Sequence, residues 1–308
     1  MPHYRPGNGP VLAIGGLVVF NAVLLVALFA RQPTVAEPAA VPIAAPSSVV
    51  VQPSRSPSAR PLTSPTPTPS RTPEPERNIP VTSRLLAVGS DRVAWRASRG
   101  GCEEEADVEV TTNGGRSWQR TDLGISAVSR LKSYDGASVF AIGADARCRS
   151  TYAWQTSADR GWQRDAGQVD PIWFRLPEDA DRVHAPGGRR SVPCPGGLAD
   201  LAGLGTYRAA ALCRDGRIRT TDDGGSGWST VLRASGGRAL NADDAEFVVA
   251  REVFSCPGLA VQRFDVEGRG LDDPLPSCRP NVRTHNAVAV GISPSTTWLW
   301  SGDDVEVF

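Results

Sequence analysis

Thr221-Asp222-Asp223-Gly224-Gly225-Ser226-Gly227-Trp228 recurs in edited form elsewhere in the chain. One copy reads Thr111-Thr112-Asn113-Gly114-Gly115-Arg116-Ser117-Trp118, and a third, two residues shorter, reads Ser157-Ala158-Asp159-Arg160-Gly161-Trp162. The composition is that of a hairpin turn. Asp or Asn accepts hydrogen bonds from nearby amides, Gly takes positive φ, and the Trp that opens the next strand covers the turn. Strand-like runs flank each copy, so the turns predict a repeated β-architecture. They do not by themselves predict an activity.

The pattern resembles the Asp-box, Ser/Thr-x-Asp-x-Gly-x-Thr/Ser-Trp, of sialidase-type (BNR-repeat) β-propellers. Residues 111–118 match it with Asn113 in place of Asp, and residues 221–228 match with Asp223 in the key place and Gly227 where Thr or Ser is expected. The resemblance runs from about Arg84 to the C-terminus and extends, at the level of fold, to the photosystem II stability factor family. It implies a propeller in which Asn113, Trp118, Asp159, Trp162, Asp223 and Trp228 are structural residues of the blade periphery. The same turn serves enzymes, sorting receptors and assembly factors, so the resemblance does not select among those functions.

β-rich runs recur along residues 79–308. With Val93, Val139, Ala209, Phe247 and Trp298 as register points the spacings are 46, 70, 38 and 51 residues, mostly near the roughly 40–50 residues of a four-stranded blade. The expectation is an all-β, five-bladed propeller. The long interval is then read as an insertion, Asp170-Pro171 to Pro195-Gly196, with a sixth, degenerate blade as the alternative. The last repeat ends at Val305-Glu306-Val307-Phe308, one strand short, and Ile79-Pro80-Val81 would supply that strand and close the ring.

Residues 1–10 read as a short polar cytoplasmic tail, and residues 11–30 as an apolar run of the length a bilayer-spanning helix requires. The run is longer than the core of a cleavable signal, and Leu28-Phe29-Ala30 is a poor cleavage site. Residues 31–78 are rich in Pro, Ser and Thr: thirteen of the 26 prolines lie between Gln32 and Pro80. Such a segment cannot bury a core and reads as a disordered, extended spacer.

All six cysteines follow that spacer. An even number without CxxC spacing suits disulfides in an oxidising compartment, and places residues 79–308 outside the cytoplasm at a cell membrane. Six cysteines allow 15 pairings; the blade register favours Cys102 with Cys148 across two blades, Cys194 with Cys213, and Cys256 with Cys278. The net charge is zero, from 33 basic and 33 acidic residues, which gives no reason to expect nucleic acid as a partner. Lys132 is the only lysine.

No residue pattern asks for a metal or cofactor. His3, His184 and His285 are the only histidines, no Gly-x-Ser-x-Gly elbow is present, and the acidic pairs lack calcium-loop spacing. Phe174-Arg175-Leu176-Pro177 resembles the motif that carries the first arginine of the sialidase carboxylate-binding triad, but it follows two of the boxes instead of preceding them. Arg189 and Arg190, beside Gly187-Gly188, form the most plausible recognition loop. The reading is a membrane-anchored, extracytoplasmic, non-catalytic binding or assembly module for protein or envelope glycan, with Arg175, Arg189 and Arg190 as candidate binding residues. A sialidase-like glycan-processing enzyme is the alternative.

Overall fold

A computed structural model describes residues 81–103, 105–271, 277–285 and 287–308. The tail, span and spacer expected at 1–10, 11–30 and 31–78 lie outside the described residues. Among the described residues no helix is long and apolar enough to cross a membrane; the helical element is a 3₁₀ turn at Ala166–Gln168.

Short apolar strands separated by Gly- and Asp-rich turns pair with their sequence neighbours and leave two apolar faces per sheet, which packing sheet against sheet around an axis covers. Here six antiparallel sheets do so. Blade one is β1 (Arg84–Val88), β2 (Ala94–Ser98), β3 (Val108–Thr111) and β4 (Gln119–Thr121); blade two is β5 (Ser126–Ser133), β6 (Val139–Ala144), β7 (Ser150–Gln155) and β8 (Gln163–Asp165). Blade three is β9 (Phe174–Leu176), β10 (Asp179–Ala185) and β11 (Arg189–Ser191). Blade four is β12 (Leu198–Gly203), β13 (Ala209–Cys213), β14 (Arg217–Thr221) and β15 (Ser229–Arg233). Blade five is β16 (Gly237–Ala242), β17 (Glu246–Val253), β18 (Cys256–Asp265) and β19 (Ser277–Arg279); blade six is β20 (Val288–Ile292), β21 (Thr297–Ser301) and β22 (Asp304–Val307).

The core is divided in the same way. Six apolar clusters each fill one interface between neighbouring blades, from Trp95 with Leu123 between blades one and two to Leu86 with Trp298 between six and one. The last of these closes the ring.

Of the two blade counts, the six-bladed alternative holds: the stretch first read as an insertion forms a three-stranded sheet of its own. Trp173, just before β9, is buried and receives the second glycine of the blade-four turn: a Cβ at Gly225 would lie 3.0 Å from its ring. Trp298 of β21 receives Gly115 of the blade-one turn in the same way, at 3.3 Å. Trp173 therefore stands where a second-strand Trp stands in blade six. The direction of β9 agrees. The Trp173 carbonyl accepts from Arg130, whose guanidinium crowds Gly203 at the end of β12, whereas Arg175 reaches Leu198 and Ala199 at its start. So β9 runs against β12, and blade three lacks a forward-running axial strand.

Of the closing strand expected at Ile79-Pro80-Val81, Ile79 and Pro80 lie outside the described residues and Val81 is in no strand; among the described residues blade six has three strands. The segment after Val81 turns across the ring. Thr82 donates its N–H to Ala199 of blade four, 3.0 Å, and its hydroxyl to the Arg238 carbonyl of blade five, 3.2 Å.

The repeated turns have a common construction. In blade one, Oδ1 of Asn113 accepts from the Thr111 hydroxyl and the Ser117 amide, both at 3.0 Å, while Thr111 Oγ1 accepts from Gly115 N–H. In blade four, Asp223 Oδ1 accepts from the Thr221 hydroxyl and the amides of Ser226 and Gly227 at 2.8–3.0 Å. Both glycines of each turn have positive φ, between 71° and 83°. The Trp that follows docks backwards onto the preceding blade. Trp162 Nε1 donates to Thr121 Oγ1 at the end of β4, and Trp228 Nε1 donates to Ser191 Oγ at the end of β11. Trp118 and Trp228 meet Trp298 and Trp173 edge to face.

Candidate functional site: a blind axial pocket

The first strand of each blade turns its unpaired edge toward the axis, so the channel is walled by backbone that needs partners. At the end where these strands begin, side chains supply them. Arg99 donates to the Ser129 carbonyl, 2.9 Å, and to Asp200 Oδ1, 3.1 Å. Asp200 Oδ2 accepts from the Leu240 amide, 2.9 Å. Arg175 donates to the carbonyls of Ala180, Leu198 and Ala199. With Thr82 this network spans blades one to five and stops the lower end of the channel. Burial, with Arg99 nearby, pushes Arg175 down to about 9; burial also lowers Arg99, against the opposing pull of Asp200.

The upper end is open. A cavity of about 560 Å³ is lined by residues of all six blades. It opens between the loops that join first to second strands, and the repeated turns sit outside those loops on the same face: Gly114 and Gly224 donate their N–H to Arg92 and Tyr207 there. Strand β5 and the residue that follows it lay three polar side chains along one side, at the alternate positions 130, 132 and 134. Arg130 Nη1 donates to the Trp173 carbonyl, 2.7 Å. Lys132 Nζ lies 3.2 Å from Asp244 Oδ1. Tyr134, at the rim, stacks on Phe140 at 4.9 Å. Burial pushes Arg130 down to about 10 and lowers Lys132, with Arg130 adding to the effect and Asp244 opposing it. Asp135, Asp243 and Asp244 give the mouth an acidic rim.

The candidate residues read from sequence fall in separate places. Arg175 is in the lower plug, with its donors on backbone carbonyls. Arg189 reaches the blade-four turn, bonding the Gly224 carbonyl and Ser226 Oγ, and Arg190 pairs with Glu178 at 3.3 Å on the surface. His184 stacks on Phe174 and bonds the Ile172 carbonyl; His285 is exposed. The six cysteines form the pairs favoured by register, Cys102–Cys148, Cys194–Cys213 and Cys256–Cys278. Among the described residues no group of three His, Cys, Asp or Glu is placed to hold a metal ion. Sequence reading did not single out Arg99, Arg130 or Asp200, and noted Lys132 only as the sole lysine. The available signal was two cations at alternate positions, Arg130-Leu131-Lys132, where each counterpart first strand carries at most one cation.

The described chain is thus a six-bladed β-propeller with a pocket closed at one end of its axis. No family model matches the sequence, and no curated protein matches it. Solved structures similar to it include YCF48 bound to D1 peptide, 17% identical over 75% of this chain and 64% of that one, TM-score 0.27. The chain therefore spans less than two thirds of that protein's length. Others are the SapL1 lectin in complex with alpha methyl fucoside, 11% identical over 75% and 96%, TM-score 0.44, and the GH74 xyloglucanase from Xanthomonas campestris, 16% identical over 72% and 36%, TM-score 0.26.

Proposed function

We propose that the chain is a non-catalytic binding module, anchored in a membrane through residues 11–30, spaced from it by residues 31–78, and presenting the pocket face of an extracytoplasmic propeller to protein or envelope glycan. The observation that carries this reading is the blind pocket: one end of the axis is stopped by the Arg99–Asp200–Arg175 network, and the other opens among loops that carry exposed polar and aromatic side chains. Concave sites with a few converging polar groups are where small ligands and chain ends bind. The three disulfides support an oxidising location.

The sialidase-like alternative draws on the arginines gathered near the axis. It needs three guanidiniums free to meet one substrate carboxylate. Arg99 and Arg175 direct theirs at Ser129, Asp200, Ala180, Leu198 and Ala199, which leaves Arg130 facing the pocket. The test is retention of envelope glycans and proteins by the oxidised full chain, beside a Tyr134→Ala/Asp244→Ala variant, an Arg189/Arg190 double alanine variant and a fluorogenic sialoside assay. The module reading expects retention that falls in the Tyr134/Asp244 variant and no turnover. Turnover that disappears with Arg130→Gln would establish the enzyme, and loss confined to the Arg189/Arg190 variant would move the binding surface to the blade-three turn.

A further inference from the structure

Arg130 is a cation without a counter-ion. Among the described residues no carboxylate lies within ion-pair distance of it, whereas Arg99 and Lys132 each have an acid, and Arg84 and Arg175 each bond two or more carbonyls. Its single hydrogen bond uses one of five N–H donors, and it faces a ring, Phe140, at 5.8 Å. Arg130 is half-buried in the cavity wall, and cations left without an opposite partner in a cleft cluster at sites that bind the missing charge.

Lys132 follows two residues later on the same side of β5, roughly 6.6 Å further toward the mouth by strand rise. Its side chain is 23% exposed, whereas that of its partner Asp244 is 85% exposed. An ion pair whose acid stands in solvent is weak, so a competing anion inside the cavity can take the place of Asp244. The adjoining wall is thin. Blade three contributes the three-residue β9, between the eight residues of β5 and the six of β12. The cavity volume lies within the roughly 300–1,000 Å³ range of small-molecule sites, and the plug prevents a chain from threading through.

The geometry points to a binding site for a small free carboxylate, preferably a diacid, in the axial pocket, with Arg130 holding one carboxylate at the floor and Lys132 exchanging Asp244 for the other. It rests on the reading of this face as a binding face and names what its pocket takes.

The sole lysine makes the site readable. Limited acetylation of the full chain, followed by mass spectrometry, reports the reactivity of Lys132 alone among side-chain amines. Glutarate is the probe and its uncharged diamide the control. Glutarate at about ten times its dissociation constant should slow Lys132 acetylation about tenfold, by simple occupancy. The diamide should have no effect, and Arg130→Gln should abolish protection, read as the ratio of liganded to unliganded rates within the variant, because losing the neighbouring cation itself slows unliganded acetylation of Lys132. Asp244→Asn, which leaves the fold's interior untouched, should raise the unliganded rate and retain protection. Protection that is absent, rises without saturation, or is equal with the diamide would overturn the proposal. If glutarate fails while envelope retention still depends on Tyr134 and Asp244, the binding face stands and only its pocket chemistry falls; loss of both removes the face as well.

Discussion

Blades three and four are neighbours with opposite construction. Blade four has four strands, a forward-running axial strand and a turn in which Asp223 gathers three hydrogen bonds before Trp228. Blade three has three strands, an axial strand running the other way, and a turn of Gly187-Gly188 with no tryptophan after it. Yet blade three supplies what blade four docks on: Trp173 for the ring of Trp228 and Ser191 for its N–H. The difference shows which part of a blade the ring demands. The second-strand tryptophan and the outer hydroxyl are retained where the next blade needs them, while the axial strand is shortened on the side where Arg130 and Lys132 line the pocket.

Removing the shared anchor should have the largest effect. Trp173→Ala empties a buried site against Gly225 and Trp228, and should cost about 3–5 kcal/mol in chemical denaturation; Tyr207→Ala, exposed on the same face, should stay within about 0.5 kcal/mol. A small loss at Trp173 would mean that blade three does not carry the interface. Next in size, a Cys194→Ser/Cys213→Ser double variant frees the connection between the two blades and should cost about 2–4 kcal/mol. Smaller again, Trp228→Phe keeps the ring contact and loses the bond to Ser191, for about 1 kcal/mol. Trp162→Phe, which loses the matching bond to Thr121, should cost about the same by that rule; a clear inequality would show that the two interfaces are not equivalent.

Aspartates in hairpin turns also set an acid limit. The amide of Gly227 and the hydroxyl of Thr221 hold Asp223 below the usual carboxylate range, and Arg149 holds Asp145 down to about 2. A depressed carboxylate contributes stability above its unfolded value, near about 3.9, and loses that contribution as pH falls toward the folded value. The thermal midpoint should therefore be level above about pH 5 and fall between about pH 4 and 2. Asp223→Asn should flatten part of that fall, because Asn113 in blade one shows that an amide oxygen makes the same turn.

What was legible in the sequence was local. The turns at 111–118, 157–162 and 221–228 announce themselves because Asx, Gly and Trp at fixed offsets do one job, and the cysteine pairs followed once strands were counted around them. Blade three was not legible because its turn lacks both the Asx residue and the tryptophan, and because Arg175 interrupts an already short apolar run. Its second-strand Trp173 was visible but had no partner until Gly225 was placed against it. The axial network and pocket were hidden for a different reason. Arg99, Arg130, Asp200 and Leu240 come from four blades and meet only after the ring closes, so no spacing along the chain joins them.

The most direct measurement is hydrogen exchange at the amides of Val183, His184 and Ala185 in β10, compared with Ala210 and Ala211 in β13. If residues 174–191 form a blade, the β10 amides exchange as slowly as those of β13, and both lose protection together in Trp173→Ala. If the stretch is an inserted loop packed on a five-bladed ring, the β10 amides exchange as fast as Gly187 while β13 remains protected, and the six-bladed ring is contradicted.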